Sequence, residues 1–211
     1  HCYFFVLDSP ENQIFCYTRR MKFAALFVIV FFYSVYLGKM LAQRKKGIRT
    51  DQIAVGKKKG PLFWTEFVMK IATYSVVAAE IISVFAVRPI LPLPVQVAGV
   101  VIGFLGDAVF LCAVITMKDS WRAGIPENDR TKMVTGGIYS VSRNPAFLAF
   151  DLVYLGVLLV LFNIPLLAFS VFSAVMLHLQ ILQEEKFLPT VFGDEYRNYK
   201  NHVRRYLGKR K

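Results

Sequence analysis

Phe147–Phe162, FLAFDLVYLGVLLVLF, followed by Asn163-Ile164 and then by Pro165–Leu182, PLLAFSVFSAVMLHLQIL, decides the fold of this chain. Two apolar runs flank an Asn-Ile-Pro break, and a proline biases the residue before it away from helix. The segment therefore predicts a tight helical hairpin rather than one long buried helix pair. Working outward, Met21–Gln43, Phe67–Val87 and Val95–Met117 are three further apolar runs, near the ~20 residues that a helix needs to cross a bilayer. The 211-residue chain is 55% hydrophobic with a mean hydropathy of +0.46, too apolar for a soluble domain of this size. The expected fold is all-α: a multipass membrane protein with about five transmembrane helices, a helical hairpin near the C-terminus and a cytoplasmic amphipathic tail helix.

The net charge of +12 sets the expected topology. Lys39, Arg44, Lys45, Lys46, Arg49, Lys57, Lys58 and Lys59 follow the first run, and Lys118, Arg122, Arg130, Lys132 and Arg143 follow the third. The tail adds Lys186, Arg197, Lys200, Arg204, Arg205, Lys209, Arg210 and Lys211, whereas Arg88 stands alone on the opposite side. The positive-inside rule then puts both polar loops and the C-terminus in the cytoplasm, with mild opposition from Arg19, Arg20 and Lys22. Because these cations border membrane spans, they are expected to meet the lipid bilayer and its anionic headgroups, not nucleic acid.

Met21-Lys22 opens a clean apolar span, so residues 1–20 are expected to be an upstream or non-native extension. Residues 21–117 form a transmembrane scaffold, and residues 118–211 carry the chemistry. Cys2, Cys16 and Cys112 lack metal-ligand spacing, which predicts no metal site and no disulfide framework. The Gly56–Pro61 stretch is expected to be a solvated loop.

The polar block Thr135-Gly136-Gly137-Ile138-Tyr139-Ser140-Val141-Ser142-Arg143-Asn144-Pro145 precedes the hairpin, and Gln183-Glu184-Glu185 follows it. Gly136-Gly137 allows close backbone approach to a ligand and offers amide donors. Tyr139 and Trp121 can face a flat ring. Arg143 can hold an anion bidentately, or orient the loop through backbone carbonyls. Pro145 suits the first turn of the next helix. His178 and Glu185, seven apart, share a helical face, and Gln180 and Glu184, four apart, are neighbours. Acids at a helix C-terminus oppose the helix dipole, which points to a ligand or a basic partner. Of the acids inside spans, Asp151 is a candidate pocket residue, while Glu80 and Asp107 are expected to be helix–helix polar contacts. Lys186–Lys211 shows apolar residues at helical spacing, an amphipathic helix on the membrane surface.

Lys132-Met133-Val134-Thr135-Gly136-Gly137-Ile138-Tyr139, then Ser142-Arg143-Asn144-Pro145, then Glu184-Glu185 and Phe192-Gly193-Asp194-Glu195-Tyr196, in that order, resembles the isoprenylcysteine carboxyl methyltransferase family, in the superfamily of the phospholipid methyltransferases. The resemblance covers roughly the last hundred residues. It implies a multipass membrane enzyme that uses S-adenosylmethionine and methylates a lipid-like acceptor. It places cofactor contacts on Lys132, Met133, Val134, Tyr139, Asn144, Pro145, Ala146, Phe147 and Glu184, to which the close backbone approach at Gly137 adds one more candidate. The family's His-Pro-x-Tyr is Asn144-Pro145-Ala146-Phe147 here, and Gln180 stands where the family has a substrate-contacting arginine. Gln180 and Asp151 are the substrate-side candidates, and Arg143, His178 and Glu185 the catalytic ones, with His178 best suited to general-base work. Two other readings stay open: an NADPH-dependent membrane reductase of the sterol-reductase type, suggested by Ser120-Trp121-Arg122, and a non-enzymatic membrane scaffold. The hypothesis stands on the Gly-Tyr-Arg turn and the paired glutamates meeting in one cleft.

Overall fold

A computed structural model describes residues 10–55, 58–125 and 132–210 of the chain. Pro126, Arg130, Gly56, Lys57 and Lys211, and the first nine residues of the expected extension, lie outside the described residues. Among the described residues five α-helices make up the fold: α1 (Pro10–Lys45), α2 (Gly60–Ala86), α3 (Leu93–Met117), α4 (Pro145–Val160) and α5 (Ile164–His202). Four of them are long and apolar enough to cross a bilayer, whereas α4, at 16 residues, is shorter than such a span.

The hairpin is present where the Asn-Ile-Pro break predicts it. Asn163 caps α5 by accepting from the Leu166 N–H at 3.0 Å, and its amide donates to Ser83 Oγ of α2 at 2.9 Å. Pro145 opens α4 at its first turn, where a missing N–H costs nothing.

Lipid is as apolar as leucine, so helices in a bilayer are held by close packing rather than by hydrophobic exclusion. The α3–α4 contact meets that need with glycines. A Cβ built on Gly156 would lie 2.6 Å from the Gly103 nitrogen and 2.7 Å from the Gly99 oxygen, and one on Gly106 would reach the Ala149 oxygen at 3.0 Å. Gly103 also sits under Val28 of α1. Beside this seam an aromatic cluster fills the space between α1, α3 and α4. Phe32 packs on Phe110 at 4.4 Å and on Phe150 at 4.7 Å, and Trp121 closes the end against Tyr36 at 5.5 Å and Phe110 at 6.1 Å. Trp121, a sequence candidate for contacting a flat ligand ring, is thus a core residue.

Two expectations need correction. The tail is not one helix over its whole length: α5 runs on past Leu182 to a non-helical kink at Gly193 (φ 54°, ψ −129°), beyond which a second helical segment ends at His202. Residues 203–210 then fold back as a loop closed by the Val203–Lys209 bridge. That loop is pulled off the helical path by backbone bonds from Arg143 N–H to the Arg204 oxygen at 3.1 Å and from Gly208 N–H to the Val141 oxygen at 2.7 Å. In addition, Glu80 and Asp107 are not joined to neighbouring helices by hydrogen bonds: their carboxylate oxygens are buried with no partner among the described residues.

The glycine seam yields a direct test. Gly156→Val is expected to destabilise the fold by about 3 kcal/mol, the upper end of overpacking costs, because its Cβ would strike backbone. Gly38→Ala, which meets nothing within 4 Å, should leave stability unchanged or slightly raised. Equilibrium unfolding in mixed detergent micelles, followed by circular dichroism, measures both.

Candidate functional site

Polar side chains gather at one end of the bundle, where α1 and α3 end and α2 and α4 begin. The apolar run of α5 ends there too, at Leu182, and Gln183, Glu184 and Glu185 follow it. Two carboxylates organise this end.

The first is Glu66, fully buried near the start of α2. It accepts from Lys58 Nζ at 2.9 and 2.7 Å, from Ala54 N–H at 2.6 Å and from Ile125 N–H at 3.1 Å. One carboxylate thereby fastens the α1–α2 loop and the segment after α3 to α2. Lys58, expected in a solvated loop, is instead buried in this ion pair. A buried pair of this kind survives only when hydrogen bonds satisfy the remaining lone pairs, and here they do.

The second is Glu185. Arg143 Nη2 donates to its Oε1 at 2.5 Å, and Arg205 holds it bidentately, Nε to Oε1 at 3.0 Å and Nη2 to Oε2 at 2.9 Å. Burial alone would raise this carboxyl. The hydrogen bonds and charges of Arg205 and Arg143 outweigh burial and hold it at about 2,. Arg143 Nη1 also donates to the Val203 oxygen at 2.8 Å and the Lys200 oxygen at 3.1 Å, the loop-orienting role foreseen for it. Its Nε is buried without a partner among the described residues. Arg143 and Glu185, proposed from the sequence as catalytic, are therefore in direct contact and together clamp the C-terminal loop.

The other candidates divide between this junction and its surroundings. Tyr139, buried in a 3-10 turn over Gly137–Ser140, is held by a 2.6 Å hydrogen bond from Tyr199 Oη to its carbonyl. Burial and the charge of nearby Tyr199 and Glu184 push its phenol well above the usual range. Gly137 has φ +58°, and a Cβ there would meet Thr116 at 3.0 Å. Its close approach is to α3. Asn144 Nδ2 donates to the Arg205 oxygen at 3.1 Å. Pro145 is buried, and Ala146 and Phe147 are half-buried against the core. Lys132 is exposed, with its N–H on Ser120 Oγ at 3.3 Å, and Met133 and Val134 are half-buried.

On α5, Gln180 is fully buried. Its Nε2 donates to Glu184 Oε1 at 3.1 Å, while its Oε1 has no partner among the described residues. Gln183 Nε2 donates to Thr65 Oγ1 at 2.6 Å, and its Oε1 is likewise unpaired. Burial pushes Glu184 up to about 7, against the hydrogen bond from Gln180. His178 Nδ1 lies 2.5 Å from Tyr206 Oη, with the rings stacked at 6.0 Å. Asp151 Oδ1 is buried and unpaired among the described residues, close enough to Tyr206 for its charge to act on that phenol. The turn before α4 and the paired glutamates do meet. Sequence reasoning missed Glu66, Tyr199, Arg205 and Tyr206, whose importance comes from contacts between segments far apart in the chain and not from any local pattern.

The arrangement defines a helical membrane protein with a polar, partly unsatisfied junction at one end of its bundle. Residues 98–190, a little under half of the chain, match the model of the isoprenylcysteine carboxyl methyltransferase (ICMT) family. The matched segment runs from α3 through both arms of the hairpin and includes Glu184 and Glu185. An uncharacterized protein of Haemophilus influenzae (strain ATCC 51907 / DSM 11121 / KW20 / Rd) is 51% identical to the chain over 37 residues, which is 18% of this chain and 59% of that relative's length.

Glu185→Gln tests the clamp. The folded carboxyl at about 2 lies below its ordinary 4.5, so its stabilisation is present above pH 4.5 and is lost as pH falls toward 2. The substitution should cost about 3 kcal/mol, as when one partner of a buried pair is removed, and should flatten the acid limb of the stability profile. Limited proteolysis should then cut within residues 203–210. Unchanged proteolysis would show that the clamp does not hold this loop.

Proposed function

We propose that this chain is a membrane-embedded methyltransferase that uses S-adenosylmethionine and acts on a lipid-like or small hydrophobic acceptor, an isoprenylcysteine-type carboxylate being one such molecule. The observation that carries the reading is the meeting of the Gly137–Phe147 segment with Gln180–Glu185, both within the family match, with buried polar atoms left unpaired among the described residues. In this reading the junction faces the cytoplasm, in line with the basic loops around it.

The unpaired atoms fit the methyl donor. Arg143 Nε is a donor without an acceptor, whereas Gln180 Oε1 and Gln183 Oε1 are acceptors without donors. An amino-acid end offers both a carboxylate and an ammonium group, and a ribose offers hydroxyl donors. Glu184, unclamped by any arginine, would accept from such hydroxyls or amines, and Tyr139 and Phe147 would supply ring faces for a cation. When bound, the donor supplies an activated methyl carbon for in-line displacement.

What remains for the protein is to align the acceptor and exclude water, which can contribute on the order of 7–11 kcal/mol. The acceptor would enter from the bilayer between the helices. Gln180 and Asp151 would face the incoming acceptor and orient its polar end. If the acceptor arrives protonated, His178 is the group to remove the proton. With its Nδ1–H donating to Tyr206 Oη, Nε2 carries the free lone pair and acts as base. With Tyr206 donating to Nδ1, that lone pair is gone and the ring only positions.

Calorimetric titration of the detergent-solubilised chain with S-adenosylmethionine should show saturable binding, and its absence in a folded sample would reject the reading. Glu184→Ala should weaken binding about tenfold, or 1.4 kcal/mol, and exposed Arg197→Ala should not. Because burial raises Glu184 to about 7, its ionised, better-accepting form grows from pH 6 to 8, so affinity should rise over that interval. In Glu184→Gln this rise should vanish.

A further inference from the structure

A second feature lies at the same end of the bundle, where α1 leaves its apolar run. A cavity of about 540 Å³ opens there, lined by Leu37, Met40, Leu41 and Arg44 of α1 and by Gly47, Arg49 and Asp51 of the following loop. Its size falls within the roughly 300–1,000 Å³ of small-molecule sites. Leu37, Leu41 and Arg44 follow one another along a single helical stripe. Along that stripe the lining passes from apolar Leu37 and Leu41 to cationic Arg44, the order in which a bilayer passes from hydrocarbon to headgroup.

The loop that forms the far wall is rigidly tied. Thr50 Oγ1 donates to buried Gln43 Oε1 at 2.6 Å, Ile48 N–H bonds the Gln43 oxygen at 3.0 Å, and Thr50 and Gln52 pair with Ala123 through backbone bonds of 3.0 and 2.8 Å. Gly47 takes φ +73° to turn the chain. The acid of the cavity is already neutralised, since Asp51 pairs with Lys70 at 2.9 Å. The guanidiniums of Arg44 and Arg49 are exposed and make no hydrogen bond or ion pair with the described residues, although both backbone carbonyls accept hydrogen bonds. Lys46, between them in sequence, is committed to Asp119 at 2.9 Å. Two uncompensated guanidiniums therefore border an apolar slot whose Leu37 and Leu41 are 55% and 58% exposed.

We infer that this cavity is a binding site for one anionic phospholipid, its phosphate held between Arg44 and Arg49 and an acyl chain lying on Leu37, Met40 and Leu41. Guanidinium geometry matches a phosphodiester bidentately, and the neutralised Asp51 leaves nothing to attract the ammonium of a zwitterionic headgroup. The site goes beyond a general attraction of basic loops to the membrane, because it ties two particular arginines to one slot. It does not depend on the methyltransferase reading. It also bears on that junction mechanically: the loop continues to Ala54, whose N–H donates to Glu66, so an occupied cavity would brace the segment that Glu66 fastens.

The test is native mass spectrometry of the full chain in detergent, with equimolar phosphatidylglycerol and phosphatidylcholine of matched acyl chains. One phosphatidylglycerol should be retained preferentially. Arg44→Gln and Arg49→Gln should each reduce that retention about fivefold, the effect of one basic residue at an anionic surface. Lys45→Gln removes the same charge one residue outside the cavity lining and should change it little. Equal retention of the two lipids, or an equal loss in Lys45→Gln, would overturn the site in favour of diffuse attraction. Displacement of the lipid by millimolar inorganic phosphate would overturn it in favour of a soluble-anion site.

Discussion

The fold depends on how closely α3 and α4 approach. With no side chain at Gly99, Gly103 or Gly156, the two backbones come within contact of each other, and dispersion over that surface replaces the exclusion of water that would join helices in solution. The consequence reaches the far end of α4. Because α4 has only 16 residues and its register is locked by the seam, Pro145 and the Ser142–Asn144 turn are held at a fixed height beside α5. Arg143 can then reach Glu185 only because the glycines set that height.

At the polar end, the difference between acids is more informative than their number. Glu66 and Glu185 are buried and saturated, each by charged and backbone or arginine donors. Such groups hold loops together, and removing a partner is costly because an uncompensated charge stays behind. Asp151 and the amide oxygens of Gln180 and Gln183 are buried and unsaturated. Leaving a polar atom unpaired costs about 1–3 kcal/mol, so several at one junction favour a ligand that completes them.

The hairpin and the spans were legible because their signals are local: a proline after asparagine, and apolar runs of the right length. The meeting of the Arg143 turn with Glu184-Glu185 was legible as well, through the order of motifs around that hairpin. Other features were hidden for a shared reason. Lys58 sits in a lysine-glycine stretch that looks solvated, and only the return of Ile125 and Ala54 to Glu66 shows that it is buried. Arg205 and Tyr206 belong to a basic, amphipathic pattern that suggests continued helix. The backbone bonds of residues 141–144 override that pattern, and tertiary contacts of this kind leave no periodicity. Gly99 and Gly103 did carry a readable spacing, four apart on an apolar helix, but spacing alone does not say which neighbour they admit.

Adjacent residues on a helix point about 100° apart, and this explains why Glu184 and Glu185 differ so much. Glu185 faces the turn before α4 and the C-terminal loop, where two arginines meet it. Glu184 faces the side of Gln180 and α2, where Glu66 has already taken the lysine. Burial acts on both, but Glu185 has two arginines that outweigh it, whereas at Glu184 the Gln180 hydrogen bond and the charge of Lys58 do not, and so one carboxyl is held at about 2 while its neighbour rises to about 7. Two like groups with opposed environments divide the work. The saturated acid fixes the geometry of the junction, and the unsaturated one keeps a lone pair and a titratable proton within it. A chain that placed both on the same face would have either a rigid junction with no free acceptor or a free acceptor with nothing to hold the loop in place.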